Sequence, residues 1–417
     1  MHRPAAAALA AALAITAPAP ALARTGEPVD APAPASTVAS AQPQPQDTDL
    51  PELLARATGL WRPPDRTLAR SPGRLSWTVL PFLFANPLMG IGGGAAAIGA
   101  FRLGSTPATS FSKFESSVFV TSNGQRGLVL RTDVRLPGDA WILVGDWGAG
   151  AFPNPAWGLG GATPASNETT VHRTQLQLHE TGYRRLTGRL YAGAGLWLDD
   201  FYGIEDQRAA AGEATAFSSY PFGTSGRSFT LGATINLLYD GRDSTLEPTR
   251  GAYLLARYRF EPAWLGDDTN WRSLYVDART YLPIPGRRDV LALWAYEWSS
   301  FGDTPYLLLP AIGADPEHRS GRGFTEGRYT ARDIAYAEAE YRMHLWQFLG
   351  AVAAVNLTAP SERGTGRPGA LFQTVHPGFA TGLRLLLDSP SRSSIAADVA
   401  WSPAEGFAFY LSANATF

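Results

Sequence analysis

From Arg74 to the last residue the chain is written in period two: short segments carry apolar residues on one parity and polar residues on the other, separated by Gly, Pro, Asn and Asp. Leu128, Leu130, Thr132, Val134 and Leu136 alternate with Arg131, Asp133 and Arg135. Asn123-Gly124 and Pro137-Gly138-Asp139 flank them as turn signals, so the segment predicts a hairpin. The same test sets Leu190, Ala192, Ala194, Leu196 and Leu198 against Arg185, Arg189 and Tyr191, and Phe229, Leu231, Ala233, Ile235 and Leu237 against Thr230, Thr234 and Asn236. Ala335, Ala337, Ala339, Tyr341 and Met343 oppose Glu338, Glu340, Arg342 and His344, while Phe407, Phe409, Leu411 and Phe417 oppose Tyr410, Ser412 and Asn414. The expected fold is all-β.

Two architectures give this pattern: a soluble sandwich or barrel with its apolar face inward, and a transmembrane antiparallel β-barrel with its apolar face outward. The segments are long, near the roughly 9 to 11 residues of a tilted membrane strand. Trp141, Trp197, Trp264, Trp271, Trp298, Trp346 and Trp401 fall where interfacial girdles are expected. The polar parity is too charged for a packed core, since Glu338, Glu340 and Arg342 would all need partners there. At about 21 residues per strand and connection the stretch holds roughly sixteen strands, with fourteen or eighteen within the spread.

Residues 1–23 order a basic start, an apolar run and Ala21-Leu22-Ala23, the arrangement of a secretory signal peptide. Residues 24–73, rich in Pro, Ala and Gln, bury too little apolar surface to order themselves and read as a periplasmic tether. Residues 74–417 are then the barrel, and Phe417 resembles the carboxy-terminal signal of bacterial outer-membrane barrels. The expected address is the outer membrane of a Gram-negative bacterium. Composition narrows the chemistry. The chain has no cysteine, which removes disulfides and thiolate sites, and a formal charge of -2 over 417 residues gives nucleic acid no field to follow.

Two stretches stand out. Tyr239-Asp240-Gly241-Arg242-Asp243 followed by Glu247-Pro248-Thr249-Arg250-Gly251 reads on its own as a polar hairpin with paired charges. Ser320-Gly321-Arg322-Gly323-Phe324 leads through Glu326-Gly327-Arg328-Tyr329 to the strand Glu338-Ala339-Glu340-Tyr341-Arg342. In this order they resemble the barrel domain of the BamA/TamA-type assembly and translocation superfamily, the bacterial surface antigen family. The resemblance extends to Pro81 through Gly94, Gly378 through Leu387 and Ala397-Asp398-Val399-Ala400, and covers roughly residues 76–417. Arg322-Gly323-Phe324 is its most specific element, and the hairpin contributes Asp240, Arg242, Asp243, Pro248 and Gly251.

The resemblance implies that the loop carrying Arg322 folds into the barrel lumen and that acidic wall residues hold its guanidinium. Parity places Glu338, Glu340 and Asp398 on the side away from lipid. Asn356, in the segment where the family often carries an aspartate, can accept a hydrogen bond from Arg322 but cannot neutralise it, which shifts the expected pairing toward Glu340 or Asp398. The chain departs from the best-known members in carrying no run of periplasmic POTRA domains, so the expectation is a POTRA-less member.

No catalytic, cofactor or metal site is expected. The six histidines have no ligand spacing, no nucleophile motif is present, and Gly90 through Gly94 lies in a strand pattern rather than before a helix. The resemblance implies outer-membrane protein or lipid assembly or translocation through a weak seam between first and last strands, with the glycine-rich Leu80 through Phe101 read as the first strand. Expected partners are outer-membrane lipids and lipopolysaccharide, unfolded outer-membrane protein or lipid clients, and a separate periplasmic protein. The alternative is a passive porin or structural barrel lined by Arg131, Arg135, Arg185, Arg189, Glu338 and Arg342.

Overall fold

The computed structural model describes residues 76–413 apart from 87–88, 105–108, 111, 245–246, 267, 362–370 and 389–392. The expected signal segment, the tether and Phe417 lie outside the described residues.

The elements follow the chain as β1 (Ser76–Asn86), β2 (Gly90–Phe101), β3 (Ser112–Thr121), β4 (Arg126–Arg135), β5 (Trp141–Ala151), β6 (Asn154–Ala156), β7 (Thr169–Thr187), β8 (Leu190–Asp206) and β9 (Gly226–Asp240). They continue as β10 (Gly251–Glu261), β11 (Trp271–Pro283), β12 (Val290–Gly302), β13 (Asp333–Trp346), β14 (Leu349–Pro360), β15 (His376–Asp388), β16 (Ser393–Ser402) and β17 (Gly406–Ala413). Sixteen of these form one antiparallel ladder in which each strand pairs with its neighbour in sequence, while β6 is a three-residue extension beside β7. The ends of the ladder, β1 and β17, are neighbours in space.

Alternation becomes two faces. Leu196, Ile235, Leu143, Leu178, Val355, Leu357, Phe407 and Phe409 are exposed on the outer face, whereas Glu338, Glu340, Arg342, Asn356 and Asp398 are buried on the other. A soluble fold would reverse this arrangement, because apolar area left in water costs about 25 cal/mol per Å². The buried face is itself unusually aromatic: Tyr183, Tyr191, Tyr275, Tyr281, Trp294, Tyr296 and Tyr336 pack around Ile312, Phe324 and Tyr329 of the segment 303–332.

Parity corrects two expectations. Trp141, Trp264, Trp346 and Trp401 are exposed, but Trp271 is buried and Trp197 and Trp298 also face inward, because their positions fall on the polar parity of β11, β8 and β12. Trp197 stacks on His179 at 4.0 Å between centroids and carries the Arg257 guanidinium at 4.5 Å. The glycine-rich segment is also not one first strand. The chain turns after Asn86, so Gly90 through Ala97 belong to β2, paired with β1 on one side and β3 on the other.

The two ends of the ladder differ. Short turns at 136–140, 188–189, 241–250 and 284–289 share one end with the start of β1. The longer connections 152–168, 207–225 and 303–332 gather at the other, where Ala156, Val171, Phe201, Ile204, Phe217, Tyr306 and Leu309 form a second core. From there the segment 303–332 runs down against the buried face and carries the site.

Candidate functional site: the Arg322 junction

Arg322 reaches strands from a loop. Its Nη2 donates to Glu338 Oε1 and, at 2.5 Å, to Glu340 Oε2, and its Nη1 lies 3.8 Å from Asp398 Oδ2. Glu338 and Glu340 come from one face of β13 because they are two residues apart, and Asp398 is brought opposite by β16. Two further arginines balance the charge. Arg342 Nε donates to Glu340 Oε1 at 2.6 Å, and Arg384 on β15 makes a two-pronged pair with Asp398. Three guanidinium groups thus alternate with three carboxylates, an arrangement that keeps each charge compensated where desolvation would otherwise expel it. Burial alone would favour deprotonation of Arg322, but Glu338 and Glu340 outweigh it and raise its affinity for the proton further.

The backbone beside Arg322 is fixed as tightly as its side chain. Asn356 Nδ2 donates to the Arg322 carbonyl at 2.9 Å, so Asn356 serves as a donor to the loop backbone and the expectation that it accepts from the guanidinium is corrected. The reason is geometric: the carboxylates already occupy the guanidinium fork, leaving Asn356 to face the main chain. Gly323 donates its N–H to Tyr410 Oη at 3.3 Å and accepts from Ser402 Oγ at 2.7 Å. Its φ of 97° and the 2.9 Å separation from the Trp401 carbonyl oxygen that a Cβ would have both require glycine. Phe324 is buried edge-on to Tyr329, at 5.6 Å, and Tyr329 in turn stacks on His376 at 3.9 Å.

Several participants carry no local signal. Gly378 and Gly382 vacate the space taken by the Arg322 carbonyl and the Asp398 carboxylate. Tyr336 donates its hydroxyl to Glu338 and receives the Gly321 N–H at 3.1 Å. Glu405 accepts the Thr325 N–H, and Arg328 reaches Thr163 Oγ1 and O at 3.2 and 3.0 Å. Arg384 was detectable by parity, since it shares the inward side of β15 with Gly378 and Gly382; Thr163 lies far away in sequence and was not.

The hairpin between β9 and β10 is a separate construction. Arg242 pairs with Asp240 through Nε at 2.9 Å and Nη2 at 3.1 Å, and Asp243 accepts from Thr249 N, Thr249 Oγ1 and Arg250 N at 2.9, 2.6 and 3.2 Å. Gly251 has φ 104°, and a Cβ there would overlap the Gly241 carbonyl. Pro248 contributes its carbonyl, which accepts from Arg342 Nη1 at 3.0 Å. Arg342 therefore joins this hairpin to Glu340 and the Arg322 junction. Among the described residues no group of three or more metal-ligating side chains occurs.

An antiparallel ladder of sixteen strands with its apolar face exposed and its charged face buried defines the fold of a membrane β-barrel, and Arg322 is paired with carboxylates of the buried face. A family model described as the Omp85 superfamily domain matches residues 188–417, and the chain belongs to that superfamily of outer-membrane assembly and translocation barrels. Among solved structures it is similar to BamA from Haemophilus ducreyi lacking POTRA domains 1–3, with 14% identity and a TM-score of 0.53, over 81% of this chain and 70% of that one. It is likewise similar to CdiB from Escherichia coli, with 12% identity and a TM-score of 0.53, over 81% of this chain and 63% of that one. A search of curated proteins gave no match.

Proposed function

We propose that this chain acts in outer-membrane protein or lipid assembly or translocation, using the β1/β17 seam as its working edge and the Arg322 loop to hold the adjoining wall. The observation that carries the reading is the reach of Arg322-Gly323, which bonds to β13, β14, β16 and β17 together. A loop fastened there couples the barrel interior to the last strands. On the other side of the seam β1 pairs with β2, whose Gly92, Gly93, Gly94, Ala95, Ala96 and Ala97 supply little cross-strand packing. Opening of a weak seam exposes strand edges to which a client strand can add. The end shared by the short turns and the start of β1 faces the periplasm in this reading, where the tether and a separate periplasmic partner would lie, and outer-membrane lipids and lipopolysaccharide surround the outer face. The chain performs no catalysis in this reading.

The alternative of an open porin is tested by single-channel conductance of the refolded barrel. A small, flickering conductance that grows on Arg322→Ala supports the pinned-loop reading; a large, steady conductance indifferent to that change supports a pore. A crosslink between β1 and β17 that leaves the cellular phenotype intact would overturn the seam mechanism.

A further inference from the structure

The connection between β5 and β7 does more than join neighbours. These strands are adjacent in the ladder, where a turn of a few residues would link them. Residues 157–163 instead reach the far wall. Gly160 donates its N–H to the Thr330 carbonyl at 2.9 Å, and Leu159 forms a β-bridge with the same residue of the inner loop. Tyr306 Oη accepts from the Gly158 N–H at 3.1 Å and donates to the Gly158 carbonyl at 3.2 Å. Gly161 lies against Thr374 and Pro360, so closely that a Cβ there would stand 2.9 Å from the proline ring. Pro360 ends β14, the thirteenth strand of the sixteen, whereas β5 is the fifth. The segment is thus a strap across the end where the long connections gather.

One buried arginine holds both this strap and the end of the ladder. Arg328 donates from Nη1 and Nη2 to the hydroxyl and carbonyl of Thr163, and the rings of Trp157 and Tyr329 lie 5.4 and 4.6 Å from its guanidinium carbon. Its Nε lies 3.8 Å from Glu405 Oε1. Glu405 belongs to the turn 403–405 from which β17 starts, and its other oxygen accepts the Thr325 N–H. The guanidinium is a rigid fork of separate donors, so a single side chain can serve partners on two sides. Because the charge is buried, the strap and the turn are what compensate it. Loss of either leaves donors unmet and draws Arg328 toward water and away from the other.

We infer that residues 157–163 are a strap closing the outer mouth, and that Arg328 is the positioning residue coupling its seating to the turn at the start of β17. The coupling deepens the seam reading and rests on it for its consequence: lifting the strap loosens the last strand, and opening the seam unseats the strap. Such a coupling is reciprocal. Trp157 belongs to the strap and Glu405 to the turn, so Arg328 can be released from either side.

Hydrogen exchange of the full-length chain in lipid vesicles tests the coupling in both directions. Trp157→Ala is expected to raise exchange about tenfold within 402–410 as well as in the strap, and Trp157→Phe, which keeps an aromatic face over Arg328, to restore protection at both. Glu405→Ala, made at the other end, is expected to raise exchange about tenfold at 157–163. The hairpin 241–250, at the opposite end of the ladder, is expected to stay unchanged in every variant. Heat-modified gel mobility establishes that each is a folded barrel; if Trp157→Ala is not, Thr163→Ala removes one strap bond to Arg328 and is read in the same way. Unchanged exchange at 402–410 on releasing the strap, unchanged exchange at 157–163 in Glu405→Ala, or a rise that spreads equally to 241–250 overturns the inference. The crosslink between β1 and β17 tests the seam itself, so the coupling and the seam can fail separately.

Discussion

Gly378 stands where the Arg322 carbonyl oxygen would lie 2.5 Å from an added Cβ, and Asn356 donates to that same oxygen from the neighbouring strand. The loop backbone therefore rests on a position that only glycine leaves open. Gly378→Ala is expected to lift Arg322 from the wall and destabilise the barrel by about 1–3 kcal/mol, the usual range for overpacking. Urea unfolding in lipid vesicles measures the loss; an unchanged midpoint, with the loop still resistant to protease, would exclude the contact.

Removing the guanidinium has a larger expected effect. Arg322→Ala leaves Glu338, Glu340 and Asp398 with less positive charge than they were built around, at about 3 kcal/mol for a broken buried pair. Arg322→Lys keeps the charge but loses the fork that meets two carboxylates at once, so intermediate stability is expected. Conductance and unfolding midpoints of the two variants should follow the same order.

Acid should release the tip of the loop. Glu317 Oε2 lies 2.7 Å from Arg279 Nη1. Burial by itself would raise the Glu317 pKa, but Arg279 and then Arg319 outweigh it and hold the carboxyl well below its usual range. A depressed pKa in the folded protein contributes stability that is present above the ordinary glutamate value of about 4.3 and is lost as pH falls toward the lower folded value. Protease nicking between residues 303 and 332 is expected to rise as pH drops below about 4, and Glu317→Gln to abolish that dependence. A pH profile identical in both proteins would contradict the assignment.

The β9–β10 hairpin gives a control that leaves the Arg322 residues untouched. Asp243 accepts three hydrogen bonds from Thr249 and Arg250. Asp243→Ala is expected to cost about 1–2 kcal/mol through unsatisfied donors and a loosened turn. Hydrogen exchange should increase at Thr249 and Arg250 while the amides of Gly321 and Gly323 stay protected.

The period-two pattern determined the strands and which side of each residue faces outward, because side-chain direction in a strand is a local property repeated every second residue. By itself it places Glu338, Glu340 and Asp398 on one face, and the order of the Asp240 to Gly251 hairpin and Arg322-Gly323-Phe324 points to the superfamily that the family model matches. Counting apolar and aromatic residues near strand ends was less reliable: Trp197 and Trp271 were assigned to a girdle when their own parity turned them inward.

Only the tertiary structure decided which groups meet. Arg322 reaches carboxylates of two strands, and its own carbonyl meets the Asn356 side chain of a third, because the ladder registers set β13, β14, β15 and β16 against each other, and register is a long-range quantity. Gly378 and Gly382 carry no chemistry of their own, and their part in the junction is the volume they leave to Arg322 and Asp398. Thr163 and Arg328 are joined across 165 residues of chain. Local alternation fixes the face a side chain points toward, but the partner it finds there depends on how far each strand has slid along its neighbour and how deep the loop descends.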